Sequence, residues 1–212
     1  MSMRRFDAVL FDFGGVLVSS PFELLGSAGH TTGVDPEVVL ELMMGDYAVD
    51  GDHPWHRLER GEIAIGEYAT ELQARCDAAG VALDFSSMGS VGKRLEVRHD
   101  MVDAVRRLRK HGYKTAIVTN NVREFGDRWR AMIEIDELFD TVVDSCEVGM
   151  RKPNPAIYHL ALALLGNVEP ERAVFLDDAP GNIDGARQAG LTAILVDDPS
   201  DALRELRRWI SF

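Results

Sequence analysis

The chain begins with a short apolar run that ends in a carboxylate. Ala8 to Phe11 are all apolar, Asp12 follows them, and Gly14 and Gly15 come shortly after. A continuous apolar run of this length, with polar residues before it and glycines after it, is typical of a strand buried on both faces. Ligands bind beyond the carboxyl ends of strands in open parallel sheets, so Asp12 is placed to do chemistry. Its alternative role is to cap a turn.

The next stretch, from Phe22 to about Glu96, has little strand pattern and predicts a series of helices separated by Gly and Pro. Asp35 and Pro36 are the residue types that begin a helix. Further helices are predicted over residues 53–60, 67–79 and 86–96. We therefore expect an all-helical cap, residues 19–96, inserted into a core formed by residues 1–18 and 97–212.

From His99 onward the apolar pattern alternates between strands and helices. The predicted strands cover residues 114–119, 141–143, 173–176 and 193–196. The predicted helices lie between residues 100 and 112, 124 and 133, 154 and 166, 181 and 189, and 200 and 210. Strands that alternate with helices of about ten residues imply right-handed crossovers and a parallel sheet. The predicted fold is α/β, with a doubly wound, Rossmann-like parallel sheet as core and the helical cap inserted into it.

The composition of the chain limits the classes of binding partner that we expect. The formal net charge of −12 disfavours nucleic acid, because binding phosphates needs clustered Lys and Arg. No apolar run approaches the roughly 18 residues of a membrane span, and the N-terminus lacks the apolar segment of a signal peptide. Cys76 and Cys146 are too few and too far apart for a disulfide framework. These features predict a cytoplasmic protein with reduced thiols and without a membrane or nucleic-acid partner; they leave the oligomeric state open.

Polar residues follow four of the predicted strands, and the carboxyl ends of parallel strands meet at one edge of a sheet. They are Asp12, Thr119-Asn120-Asn121, Arg151-Lys152-Pro153 and Asp177-Asp178. A carboxylate nucleophile, a hydroxyl with backbone donors, an ammonium and a carboxylate pair suit phosphoryl transfer through an aspartyl intermediate. Mg²⁺ prefers oxygen ligands, and Asp12 and Asp178 could supply two of them.

In this order and at these strand ends, the residues resemble the four motifs of the haloacid dehalogenase superfamily, in its class with a helical cap. Within that superfamily they are similar to the phosphatase-like domain at the amino end of soluble epoxide hydrolase and to relatives fused to acyl-CoA dehydrogenases. The segments that carry the resemblance are residues 11–17, 119–121, 150–153 and 175–178.

The resemblance implies a role for each motif. Asp12 would be the nucleophile and a Mg²⁺ ligand, and Lys152 would neutralise the nucleophile and the phosphate. Thr119 and the backbone of Asn120 would hold the phosphoryl oxygens. The remaining implied roles are Mg²⁺ binding by Asp178 and the Gly14 carbonyl, and support by Asp177 and Asn182.

Gly14 departs from the superfamily pattern, in which phosphatases usually carry an Asp general acid and base at this position. General acid–base help is typically worth about 10²–10⁴ in rate. Three interpretations follow. The substrate has a good leaving group, such as an anomeric sugar phosphate or an acyl phosphate; a cap residue or water supplies the proton; or the site binds a phosphorylated ligand without turnover.

We expect Mg²⁺-dependent hydrolysis of a small phosphorylated metabolite, with the binding module as the alternative. A metal-independent dehalogenase is disfavoured, because the adjacent carboxylates of Asp177 and Asp178 would repel each other without a cation.

Two cap segments carry further candidate residues. His53 and His56, with Asp50 and Asp52, could be imagined as a metal site, but the pattern favours a partly exposed helix that also carries Trp55. The turn Glu59-Arg60-Gly61-Glu62 either faces the active site or is a solvated connection.

Overall fold

The sheet consists of five short strands. The structure, a computed structural model, describes residues 4–20, 34–82 and 95–212. Its strands are β1 (Ala8–Phe11), β2 (Lys114–Thr119), β3 (Thr141–Asp144), β4 (Ala173–Asp177) and β5 (Thr192–Leu195). All four pairings are parallel, in the order β3-β2-β1-β4-β5. The predicted α/β class with a parallel sheet is confirmed.

Strand β1 lies at the centre of the sheet, paired with β2 on one side and β4 on the other. Ala8 is in register with Lys114 of β2 and with Ala173 of β4. All four residues of β1 are fully buried, as their continuous apolar run predicts. The central strand therefore delivers the residue after Phe11, Asp12, to the middle of the carboxyl edge.

Helices fill the connections. Between β1 and β2 the described residues 34–82, which we call the helical insert, contain α1 (Pro36–Met44), α2 (Pro54–Glu59) and α3 (Ile65–Ala79). The core contains α4 (His99–Lys110), α5 (Ile135–Leu138), α6 (Ser145–Val148), α7 (Pro155–Leu164), α8 (Pro180–Gln188) and α9 (Pro199–Trp209). In the described part of the chain, 3₁₀ helices cover Arg123–Arg128, Arg130–Met132 and Pro170–Arg172.

One predicted helical stretch is 3₁₀ and not α. Residues 124–133 form two 3₁₀ helices instead of one α-helix, and the first is interrupted at Gly126, where φ is 56° and ψ is −153°. A residue in that conformation cannot continue the i→i−4 hydrogen bonds. The helix predicted over 86–96 falls largely on residues 83–94, outside the described part of the chain. The predicted start at Asp35 is confirmed: its side chain accepts a hydrogen bond from the backbone N–H of Glu37 at 2.9 Å.

Each face of the sheet packs on its own set of helices. Alternate residues of β1 point to opposite faces. Val9 and Phe11 join a cluster with α4 and α9, whereas Ala8 and Leu10 join one with α7 and α8. A third cluster, formed mainly by α1, α2 and α3, lies inside the helical insert.

Two short segments connect the insert to the core and pair with each other. The backbone N–H of Ser19 donates to the carbonyl of Glu96 at 2.8 Å, and that of Arg98 donates to the carbonyl of Leu17 at 2.9 Å. The chain therefore leaves and re-enters the core at one place, beside the loop that follows β1.

Candidate active site

Asp12 is held at the centre of the carboxyl edge by its own backbone. Its N–H donates to the carbonyl of Leu176 at 2.8 Å, which extends the pairing of β1 with β4 by one residue. The N–H of Phe13 donates to Oδ1 of Asp12 at 2.7 Å. Asp12 is only 9% exposed. The carboxylate is thus fixed in a largely buried position, as a nucleophile requires and a solvated turn cap does not.

Lys152 joins two of the predicted acidic residues. Its Nζ lies 2.9 Å from Oδ1 of Asp12 and 2.6 Å from Oδ2 of Asp177, and the side chain is fully buried. Burial lowers the pKa of the ammonium, but the charges of Asp12 and Asp177 outweigh this and hold that pKa above its usual value. Lys152 is therefore a fixed positive charge in contact with the candidate nucleophile.

The carboxylates crowd one another despite this lysine. Oxygen atoms of Asp12, Asp177 and Asp178 lie within 4.8 Å of each other. Burial raises the pKa of Asp12, against the charge of Lys152 and together with the charges of Asp177 and Asp178. Burial and the charge of Asp177 raise the pKa of Asp178 to about 6. The site without a cation therefore carries more negative charge than its ammonium can compensate.

The two adjacent aspartates have different surroundings. Asp177 accepts hydrogen bonds from Nδ2 of Asn182 at 3.0 and 3.1 Å and from the N–H of Ala179 at 2.8 Å, besides its contact with Lys152. Asp178 accepts a hydrogen bond from Oγ of Ser20 at 2.9 Å. Asp177 is thus anchored within the protein, whereas Asp178 faces the loop that follows β1.

Gly15 makes room for Asp178. Its φ is +75°, and a Cβ built on it would lie 1.9 Å from Oδ2 of Asp178. Any side chain at this position would therefore clash as well as strain the backbone. The sequence did not indicate Asp178 as the group that lies against Gly15, nor Ser20 as the partner of Asp178.

At the end of β2, Thr119 lies at the edge of the sheet and Asn120 binds the main chain of Lys152. Thr119 is buried at the edge of the sheet, next to β1. The side-chain amide of Asn120 binds the main chain of Lys152 in both directions, accepting from its N–H at 2.8 Å and donating to its carbonyl at 3.0 Å. The resemblance assigned a role to the Asn120 backbone; the structure adds this contact of its side chain.

Arg151 contacts the helical insert and is fully buried. Its Nε donates to Oε2 of Glu59 at 2.7 Å, Nη1 donates to the carbonyl of Val49, and the guanidinium lies 4.8 Å from the ring centroid of Tyr47. The hydroxyl of Tyr47 donates to Oε1 of Glu59 at 3.0 Å. Sequence reasoning missed Tyr47, and it treated Arg151 only as part of a motif.

The turn after α2 was predicted either to face the active site or to be a solvated connection, and its residues differ in this respect. Glu59 is 2% exposed and contacts the loop of Lys152 through Arg151. Arg60 instead pairs with Glu62 at 2.6 Å and with Asp50, and both Arg60 and Asp50 are largely buried. Asp50 also accepts a hydrogen bond from Nδ2 of Asn154 in the core at 3.1 Å. Glu59, at one end of the turn, therefore contacts the loop of Lys152. Gly61 lies against the core, where a Cβ would be 2.6 Å from the carbonyl oxygen of Cys146, and Glu62 at the other end is exposed.

The two histidines of the insert have structural contacts. Nδ1 of His53 accepts from the N–H of Trp55 at 3.2 Å, and Nδ1 of His56 accepts from the N–H of Gly51 at 3.1 Å. The expectation of a partly exposed helix is wrong for His56, which is 1% exposed because α2 is packed against α1, α3 and α6. Within residues 4–20, 34–82 and 95–212, the group of three potential metal ligands is the aspartate cluster.

Comparison with protein families identifies the class. Residues 6–190 match the model of the haloacid dehalogenase-like hydrolases, so the chain belongs to this family. Curated relatives include acyl-CoA dehydrogenase family member 10 of Mus musculus, 33% identical over 99% of this chain and 20% of that protein. Bifunctional epoxide hydrolase 2 of Sus scrofa is 35% identical over 95% of this chain and 38% of that protein. The chain thus spans well under half the length of these two relatives.

A third relative is similar in size. Pyrophosphatase PpaX of Bacillus cereus is 35% identical over 88% of this chain and 81% of that protein. The resemblance to the superfamily, and within it to the epoxide hydrolase and acyl-CoA dehydrogenase relatives, is confirmed.

Solved structures share the fold. A HAD-like family hydrolase of Porphyromonas gingivalis has a TM-score of 0.69 and 25% identity, covering 96% of this chain and 98% of that one. A HAD family enzyme of Bacteroides thetaiotaomicron, solved as a magnesium complex, has a TM-score of 0.64 and 19% identity, covering 95% and 100%. L-2-haloacid dehalogenase of Xanthobacter autotrophicus has a TM-score of 0.62 and 22% identity, covering 95% and 82%.

Across the three described ranges, no helix is both long enough and apolar enough to cross a membrane.

Proposed function

We propose that the chain is a Mg²⁺-dependent phosphatase that hydrolyses a small phosphorylated metabolite through an aspartyl-phosphate on Asp12. The observation that carries this proposal is the cluster around Lys152: three carboxylates within 4.8 Å of each other and one ammonium in contact with two of them. With all three carboxylates ionised, the formal charge of these four groups is negative by two, which one divalent cation balances. In a dehalogenase that works without a metal, nothing would balance this excess negative charge.

The donor set fits Mg²⁺. Asp177 is already bound by Lys152, Asn182 and a backbone N–H, so Asp12 and Asp178 are the carboxylates we assign to the metal. The backbone carbonyl of Gly14 is the third protein ligand we propose, with water and substrate oxygens completing the shell. Bound there, Mg²⁺ would neutralise charge on the nucleophile and on the phosphoryl group. The magnesium complex of the Bacteroides thetaiotaomicron enzyme supports this choice of metal.

The protein groups have separate tasks in the proposed reaction. The Asp12 carboxylate attacks phosphorus, the bond between phosphorus and the leaving oxygen breaks, and water then releases inorganic phosphate from Asp12. Lys152 compensates the charge of nucleophile and phosphate as a fixed ammonium. Thr119 and the backbone N–H of Asn120 donate to the phosphoryl oxygens. Asp177 and Asn182 hold Lys152 and the loop after β4 in place.

Gly14 restricts the leaving group. Because this position offers no acid, substrates whose leaving group needs little protonation should react best, such as aryl, acyl and anomeric phosphates. The named activity of the PpaX relative, on pyrophosphate, agrees with this class, since a phosphate leaving group is weakly basic. Pyrophosphate therefore belongs in the substrate panel.

The test compares wild type with Asp12→Asn on a panel of phosphate esters, acyl phosphate and pyrophosphate, with Mg²⁺ and with EDTA. An amide is isosteric with the carboxylate but is a far poorer nucleophile, so we expect the folded variant to release no measurable phosphate. Undiminished phosphate release by folded Asp12→Asn would contradict the assignment. A wild-type protein that binds inorganic phosphate but turns over no member of the panel would establish the alternative, a phosphometabolite-binding module.

A further inference from the structure

A closed ring of contacts joins the helical insert to the catalytic lysine. We call it the seam ring; its members are Tyr47, Glu59, Asn120, Arg151 and Lys152. Glu59 accepts from Nε of Arg151 at 2.7 Å and from the hydroxyl of Tyr47 at 3.0 Å. The same hydroxyl accepts from Nδ2 of Asn120 at 3.3 Å. The Asn120 amide binds the main chain of Lys152, which is covalently joined to Arg151.

The ring holds the main chain of Lys152 from two sides. On one side the Asn120 amide binds its N–H and its carbonyl. On the other side the side chain of Arg151 is fixed in the insert by Glu59 and by the carbonyl of Val49. Lys152 then extends its ammonium, 0% exposed, to the carboxylates of Asp12 and Asp177. A displacement of this main chain would change the distance from Nζ to the nucleophile.

Burial makes the ring stiff. Arg151 is 0% exposed and Glu59 is 2% exposed, so neither has water to replace a lost partner. Insert and core also touch closely beside the ring, where a Cβ on Gly181 would lie 2.5 Å from the Cα of Ala48. The insert therefore cannot shift relative to the loop of Lys152 without breaking ring contacts or this backbone approach.

We propose that Glu59 and Tyr47 are positioning residues, which place the Lys152 ammonium for phosphate binding through Arg151 and Asn120. The inference rests on the proposed function, in which Lys152 contacts the phosphoryl group. It goes beyond that function because it makes the helical insert a part of the phosphate site and not only a cover or a reader of the leaving group. Misplacement of a catalytic group by about 1 Å can cost about 10²-fold in rate.

The primary variant is Tyr47→Phe, since it opens the ring by removing one hydroxyl and no charge. The measurements are the dissociation constant for inorganic phosphate with Mg²⁺, that for Mg²⁺ alone, the melting temperature, and kcat on an aryl and an alkyl phosphate. We expect phosphate affinity and both kcat values to fall about tenfold, the effect of roughly one hydrogen bond, while Mg²⁺ affinity is unchanged. In Glu59→Ala these quantities should fall further. Glu59→Gln should lose less than Glu59→Ala, because its carbonyl oxygen can still accept from Nε of Arg151, although its NH₂ group cannot accept from the hydroxyl of Tyr47.

The matched control is Tyr68→Phe. Tyr68 is also buried in the insert, and its hydroxyl donates to the carbonyl of Met43 at 2.8 Å, away from the ring. We expect this variant to keep wild-type phosphate affinity even if its melting temperature falls.

Three results would overturn the inference. Wild-type phosphate affinity in folded Tyr47→Phe and Glu59→Ala would show that the ring only stabilises the fold. A loss confined to one ester, with inorganic phosphate bound normally, would make Tyr47 a contact of the leaving group. An equal loss in Tyr68→Phe would show a general effect of the insert. Because inorganic phosphate binding needs no turnover, the test also holds if the wild type proves not to be a phosphatase.

Discussion

The carboxyl edge of the sheet and the helical insert are stabilised in different ways. At the edge, Lys152 and its carboxylates are buried and held by contacts of 2.6–2.9 Å. In the insert, apolar burial dominates: Leu72 and Cys76 are fully buried, and the pair of Arg57 with Glu71 lies on the surface. Surface pairs contribute little to stability. The edge therefore has lower stability in exchange for buried charge. The apolar cluster of the insert, which does not include the seam-ring residues Tyr47 and Glu59 among its buried members, should instead tolerate changes without altering the chemistry.

The largest expected effect breaks the edge and leaves the insert intact. Gly15→Ala places a Cβ 1.9 Å from Asp178 at a φ of +75°, so Asp178 must move. We expect kcat to fall about 10²-fold or more, and the stabilising response to Mg²⁺ to disappear. Gly80→Ala is the matched control, because its φ is +67° and nothing lies within 4 Å of the new Cβ. It should cost about 1 kcal/mol in unfolding free energy and keep activity; equal activity of the two variants would contradict the close approach.

The second prediction breaks the insert and leaves the edge intact. Leu72 is fully buried in the apolar cluster of the insert, so Leu72→Ala should lower the free energy of unfolding by about 2–5 kcal/mol. Denaturant titration measures this loss. In the protein that remains folded, Mg²⁺ affinity should be that of the wild type. A loss of Mg²⁺ binding without unfolding would show that the two regions are not separable in this way.

The third prediction tests whether Mg²⁺ binds at the carboxyl edge with Asp178 as a ligand. A cation that binds only the folded state stabilises it by about 2.7 kcal/mol at a hundred times its dissociation constant. For a chain of this length that corresponds to a rise in melting temperature of about 5–10 °C on adding Mg²⁺. Asp178→Asn should abolish the rise. Asp184→Asn, a change of an exposed aspartate on α8, should keep it; if both variants respond like the wild type, Asp178 is not a ligand.

The fourth prediction concerns the pH dependence of stability, through a buried histidine of the insert. Burial, and then the charge of Arg151, lower the pKa of His56 from 6.5 to about 4. Between these pH values the unfolded chain binds more protons than the folded one, so stability falls as pH drops from 6.5 to 4. The contribution of His56 is at most about 1.4 kcal/mol per pH unit. His56→Asn keeps an acceptor for Gly51 and should flatten the stability profile in this range, whereas His159→Asn, at an exposed position, should not.

Sequence patterns predicted the secondary-structure elements and the residues at their ends, but not the contacts between residues of different elements. The apolar run before Asp12 and the alternation after His99 identified the strands and the edge where their polar ends meet. Glu59 and Arg151 are 92 positions apart, and Ser20 and Asp178 are 158 apart, so no local pattern could connect them. The helical stretch predicted over 124–133 is present as 3₁₀ helix, and the apolar pattern did not indicate that Gly126 leaves helical geometry within it.

The central place of β1 has a consequence for how the chain folds. Strand β1 pairs with β2, more than a hundred residues later in the chain, and with β4, later still. Before distant segments can make contacts, the loop between them must close, and the entropy lost in this closure slows folding. Until residue 119 has left the ribosome, the apolar strand before Asp12 has no neighbour in the sheet, and until residue 177 it has only one. Nascent chains shorter than this expose an unpaired apolar strand edge, the surface that chaperones and aggregating chains compete for.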